Sequence, residues 1–259
     1  MELFAFLISL GATTAGAISG IGGGVIIKPV LDAVSGLPVS TISFLSGCTV
    51  LAMSVVSLLR NTGAKIDRAS STPLALGAAL GGLLGKWVFD LVRAGFPAGV
   101  VGVVQSTLLL LMLLAVFLFM KGKGKIPTYQ VKNLAVTALA GLSLGMLSAF
   151  LGIGGGPLNI ALLAFLFSMD SKTCAVNSIY IILFSQTASF LSTLLGGRVP
   201  EFSPVMLGLM IAGGVGGGFL GSALVKKMDN AKVDRFFTWM LAFLAVISGW
   251  NLWRFLGMV

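Results

Sequence analysis

The chain has 259 residues, 57% of them hydrophobic and 10% charged, and a mean hydropathy of +1.05. A soluble domain carries about 25% charged residues, and so few charges cannot cover a water-soluble globule. The net charge of +9 does not point to nucleic acid, because the bases sit in short loops between apolar runs, as in the cytoplasmic loops of a membrane protein.

The first apolar region, 2–35, opens on MELFAFL, which is acidic rather than basic and reads as mature sequence instead of a signal peptide. It is too long for one span and is interrupted by GIGGGVIIKPVL from Gly20. Runs of spanning length follow at 40–60, 72–94 and 98–120. A second overlong region, 131–168, carries the matching interruption GIGGGPLNIALL from Gly152, 132 residues after the first. Three more spans read at 174–196, 203–226 and 234–257. The apolar piece after each glycine cluster, 24–35 or 156–168, rises only about 18 Å as a helix, short of the ~30 Å hydrocarbon core. Each interrupted region is therefore expected to be a hairpin with glycines at its tip and a half-helix as its second arm.

The correspondence between halves extends further. Thr41 aligns with Thr173 and Ser46 with Ser178, and the glycines at 77, 81 and 85 match those at 213, 217 and 221. Small residues every four positions allow close helix packing in membranes, so these glycines read as packing. GGLLGKW lacks the spacing and the Ser/Thr of a phosphate-binding loop. Loop bases decide the topology. If each glycine region returns to its side of entry, twelve bases fall inside (Arg60, Lys65, Arg68, Lys121, Lys123, Lys125, Lys132, Lys172, Lys226, Lys227, Lys232, Arg235) and three outside (Arg93, Arg198, Arg254). If each crosses once, the split is nine to six. The positive-inside rule prefers the first, which makes the repeats, 1–124 and 125–259, inverted. The expected fold is an all-α integral membrane protein of two inverted repeats, with about eight full spans plus two glycine-tipped broken or re-entrant half-helices.

Irregular backbone at membrane depth persists only inside protein or beside a water-filled cavity. A half-helix N-terminus there carries unpaired N–H groups and about half a positive charge, a combination that binds anions; Pro157 suits its first turn. Inverted repeats would bring Gly22, Gly23 and Gly24 towards Gly154, Gly155 and Gly156. The same glycines could instead serve only tight helix crossing. Nearby polar candidates are Asn159, Asn177, Ser178, Gln186 and Ser46, with Thr173, Ser185, Ser189, Thr41, Ser43, Thr49 and Ser54 along the same segments. A single Ser or Thr can equally bond its own helix backbone, and the two asparagines are the costlier groups to bury. Lys28 lies four residues after Gly24 and could attract an anion, or pair with Asp32 at i+4. Lys86 and Asp90 repeat that spacing as an expected structural pair. Cys48 and Cys174 read as small buried residues. With no histidine and few intramembrane acids, neither a metal site nor a cofactor is expected.

The duplicated G-x-G-G-G with its short apolar helix, the continuation GIGGGVIIKPVL, the polar-faced TCAVNSIYIILFSQTAS and the later GGLLG and GGFLG resemble the sulfite exporter TauE/SafE family over essentially the whole chain. The resemblance implies movement of sulfite, sulfonates or related anions across the cytoplasmic membrane, with Gly22–Gly24 and Gly154–Gly156 at the site. Lys28 departs from the apolar residues expected after the first tip. The expected function is a multi-pass secondary transporter of a small anion in the cytoplasmic (inner) membrane, working by alternating access. A passive anion channel or sulfur-compound conduit is the alternative, ahead of an intramembrane enzyme or accessory subunit. The expected partners are a small anionic substrate and the lipid bilayer, not nucleic acid. The direction of transport, a coupling ion (proton or sodium) and assembly as a homo-oligomer are left open by the sequence.

Overall fold

The computed structural model describes residues 1–60, 65–151, 154–197 and 199–257, without the side chains at 39, 93 and 98. Gly152 and Arg198 of the reading above lie outside these residues, as does the Arg93 side chain. Ten helices are present among the described residues: α1 (Glu2–Ser19), α2 (Gly24–Val34), α3 (Val39–Arg60), α4 (Arg68–Gly95), α5 (Ala98–Gly122), α6 (Leu134–Leu151), α7 (Gly156–Phe167), α8 (Ser171–Leu195), α9 (Pro204–Lys227) and α10 (Asn230–Leu256). Eight are long and apolar enough to cross a membrane, and the two short ones, α2 and α7, follow the glycine clusters. No strand occurs among the described residues.

Polar side chains start most of the long helices. Asp67, Asp170, Ser203 and Asp229 each accept a backbone N–H in the first turn of α4, α8, α9 and α10, and Asn133 does so for α6. Such caps satisfy N–H groups that the helix itself cannot pair. The bond from the Lys232 N–H holds the Asp229 carboxyl below its ordinary pKa.

Helix directions follow from which residues meet. On α9, Gly213, Gly217 and Gly221 pack on Leu10, Thr14 and Ile18 of α1 in ascending order, so the two helices run parallel. Gly214 and Gly218 of the same helix meet Thr49 and Met53 of α3, which makes α3 parallel to α9 as well. Since α1 and α3 therefore point the same way, the chain must turn back through α2. On the other side, Gly77, Gly81 and Gly85 of α4 pack on Ala138, Leu142 and Met146 of α6. The contacts Ser71–Asn177 and Lys86–Thr193 set α4 parallel to α8. Hence α6 and α8 are parallel too, with α7 as the returning arm. Phe44 stacks on Phe190 and Gly47 faces Gln186, so α3 and α8 are antiparallel. The two five-helix halves are thus inverted, as the loop charges predict. One face of the molecule carries Arg60, Lys65, Arg68, Lys121, Lys123 and Lys125 and is called here the lysine-rich face.

The longest interfaces join the halves to each other: α1 lies on α9 and α4 on α6. Backbones approach so closely there that a β-carbon at Gly81 would collide with the Leu142 carbonyl, and one at Gly217 with the Thr13 hydroxyl. Large side chains forced into such contacts cost about 1–3 kcal/mol. Gly217→Leu should therefore lower the thermal midpoint of the purified protein. Gly208→Leu, on the same helix but with open space around its β-position, should leave it nearly unchanged. Equal midpoints for the two variants would refute the glycine-mediated α1–α9 contact.

Candidate functional site

The two glycine tips meet directly. The Ile21 carbonyl rests against Gly156 so closely that a β-carbon there could not fit. The first tip is level with Ser178 and Ile182 of α8, and the second with Gln186; all three lie in the interior of that 25-residue helix. Gly22, Gly154 and Gly155 have φ of 76°, 69° and 87°, a region in which only glycine is unstrained. This geometry lets the chain reverse and start a helix within three or four residues. The resulting N-termini of α2 and α7 begin on Gly23 and Gly155 and have no side-chain cap, unlike α4, α6, α8, α9 and α10.

The tips form the floor of a cavity of about 360 Å³ lined by Gly22, Gly24, Gly154 and Gly155. Ser46, Ser148, Asn159 and Gln186 surround them. The cavity extends past Lys86 and Thr193 to exposed Ser40, Ser43, Asp90 and Ser189, so its mouth faces away from the lysine-rich face. Four polar side chains around the tips have no protein partner among the described residues. Asn159 is 2% exposed and Ser148 6%, yet the Ser148 hydroxyl has no hydrogen bond. Among the described residues the side-chain amides of Asn159 and Gln186 and the Ser46 hydroxyl make none either. A β-carbon at Gly154 would sit 2.9 Å from Gln186 Nε2, and one at Gly155 would sit 2.8 Å from Ser148 Oγ, which places both donors against the second tip. Buried polar groups are nearly always paired, so a ring of unpaired donors around two uncapped helix starts marks a site for an acceptor-rich ligand.

Of the residues singled out in the sequence, Gly22, Gly24, Gly154, Gly155, Asn159, Ser46, Gln186 and Lys28 line this cavity. Lys28 makes no salt bridge with Asp32 among the described residues; Asp32 is exposed and off the cavity lining, although its carboxylate stays within electrostatic reach of Lys28. Ser43, Ser185 and Ser189 line the cavity as well, whereas Gly23, Gly156, Ser178 and Asn177 are built into the protein. Gly23 packs on Thr13, and Gly156 receives the other tip. Ser178 donates to the Gly20 carbonyl at 2.6 Å. Asn177 accepts from the Ser71 hydroxyl (2.6 Å) and the Asp67 N–H (3.0 Å), and donates to the carbonyls of Lys65 and Thr173. Together these bonds tie α8 to the start of α4 and to the first tip, and close the molecule below the cavity. Lys86 donates to Thr193 at 3.2 Å.

Sequence reasoning missed Ser148 and Gln105. Gln105 lines the cavity and donates to the Phe150 carbonyl at 2.5 Å, steadying the last turn before the second tip. A lone amide inside a 25-residue apolar span was signal enough to find it. Ser148 carries no such mark beyond lying one turn ahead of GIGGG.

Helical spans, inverted halves and a cavity floored by broken helices define a multi-pass membrane protein of transporter type. The family model for sulfite exporter TauE/SafE matches residues 5–247, and the chain belongs to that family of membrane transporters. It is 27% identical over 252 residues to the probable membrane transporter protein YunE of Bacillus subtilis (strain 168), covering 89% of this chain and 91% of that protein. No solved structure matches the chain.

The two asparagines separate structural from functional polarity. Asn177→Ala strands the buried Ser71 hydroxyl and removes the side-chain bond to the Asp67 N–H, and should cost about 1–3 kcal/mol of stability. Asn159→Ala strands none and should cost clearly less. Thermal unfolding in detergent compares them, and equal losses would contradict the assignment.

Proposed function

We propose that the protein is a secondary transporter of a small anion, a sulfur oxyanion or sulfonate, held between the two half-helix N-termini. One observation carries the reading: two uncapped helix starts converge on a cavity floor where the Ser148 hydroxyl and the Asn159 and Gln186 amides have no protein partner among the described residues. Helix N-termini and neutral donors hold an anion by N–H and O–H groups that are already oriented, without reorganisation. The name of the matched family, sulfite exporter, supports the sulfur oxyanion class.

Orientation follows from the loop bases: the lysine-rich face is cytoplasmic, in the inner membrane of the cell. The cavity then opens outward, and the Asn177 network closes it on the cytoplasmic side. A cavity that ends at a closed floor supports a carrier over a continuous pore. Alternating access would come from the inverted halves exchanging which end of the site is closed. The side chains of the floor bind and orient rather than perform covalent chemistry, which favours a carrier over an enzyme.

The test is uptake and counterflow of sulfite and small sulfonates in proteoliposomes. Saturable exchange is expected, and unsaturable conductance would overturn the carrier reading. Asn159→Leu and Gln186→Leu each remove a donor to a charged ligand and should weaken apparent affinity about tenfold. Gly155→Leu should abolish uptake while leaving protein in the membrane, because at φ 87° its side chain is both strained and directed at Ser148. Full activity of the Gly155 variant would exclude the tips as the binding site.

A further inference from the structure

We propose that Lys28 makes the site selective for doubly charged anions; this rests on the reading of the cavity as an anion site. Lys28 stands one turn into α2, four residues after Gly24, and both residues line the cavity. It is half-buried, and among the described residues its ammonium makes neither a salt bridge nor a hydrogen bond. A cation withdrawn from bulk water is costly unless a counter-charge accompanies it. Among the described residues of the cavity floor none supplies one. Asp32, within electrostatic reach on α2, is exposed, so water screens it and it offsets Lys28 only in part. Asp90, the carboxylate of the wall, lies at the mouth with Lys86, so those two formal charges cancel there.

The charge on the floor can be counted. Each half-helix N-terminus contributes roughly half a positive charge, so the two tips together match a monoanion. Lys28 raises the total to about two, which a dianion neutralises and a monoanion does not. The unpartnered Ser148 hydroxyl and the buried Asn159 amide support, independently of the helix ends, a ligand at this floor. The charge comes from one repeat only: the position in the second half that corresponds to Lys28 is Ile160, a buried core residue. Asn159 has the apolar Ile27 as its own counterpart. The first tip therefore adds a full cation where the second adds a neutral amide, and a bound dianion has a defined orientation between them.

Sulfate and methanesulfonate share a compact near-tetrahedral shape and differ by one charge, so their binding to the purified full chain isolates the effect. Calorimetry near neutral pH should find sulfate bound about tenfold or more tightly than methanesulfonate by the unaltered protein. Lys28→Met should weaken sulfate by about tenfold or more and change methanesulfonate much less, whereas Lys28→Arg should retain the preference. Thermal midpoints establish that each variant is folded, and Lys28→Gln serves if the methionine variant is not. Equal weakening of both anions, or an undiminished sulfate preference without the cation, overturns the proposal. Failure of the unaltered protein to bind either anion overturns instead the reading of the cavity as an anion site.

Discussion

A backbone amide or carbonyl left without a partner in hydrocarbon costs several kcal/mol, and this chain interrupts two helices inside its apolar interior. The architecture is organised around that cost. Each break is covered by protein: Ile21 rests on Gly156, Ala175 and Ser178 cover Gly20, and Thr13 covers Gly23. At the helix starts Gly24 and Gly155 still face the cavity, and they are the part a ligand can use. The caps of the other helices sharpen the contrast, since five of them spend a side chain on their first turn.

Bringing the two tips together requires the halves to interlock. The parallel pairs α1–α9 and α4–α6 do this through glycines stacked against the partner's backbone. Polar bonds then make the two ends of the molecule unequal. Below the cavity, Asn177, Ser71 and Ser178 bind α8, α4 and the first tip together. Towards the mouth, the corresponding junction rests on the Thr41 hydroxyl donating to the Glu201 carbonyl at 2.9 Å. Pseudo-symmetry of the fold combined with asymmetry of the closing bonds is what places the opening on one side.

Much of this was legible in the residues. Hydropathy located the long helices to within a few positions, because a lipid-facing surface leaves little freedom in composition. The paired GIGGG clusters marked the tips, and loop lysines predicted the returning arms that the parallel course of α1 and α3 displays. Individual polar side chains were harder to assign. Asn177 and Gln186 lie on one helix and look alike in sequence, yet the first is consumed by Ser71, 106 positions away, while the second faces the cavity. Ser178 is likewise spent on Gly20, 158 positions away. Such partners come from the folded arrangement and leave no local pattern. Lys28 posed the same difficulty in reverse. Its i+4 spacing to Asp32 fits a helical ion pair, but Asp32 is exposed and the two side chains, though within electrostatic reach, make no salt bridge among the described residues.

The reciprocal glycine seams also constrain how the protein can be made. A ribosome releases α4 into the bilayer before α6 exists, and α1 long before α9. Until then, the glycine face of α4 at Gly77, Gly81 and Gly85 and the face of α1 around Leu10, Thr14 and Ile18 lack the helices they pack on in the finished protein. The first half must therefore wait in the membrane as a loose set of spans rather than as a finished unit. Its two seams are completed in different phases of synthesis, the α4 seam early and the α1 seam only when nine-tenths of the helices have been inserted. Biogenesis of this transporter thus depends on the last third of the chain reaching back to its first helix.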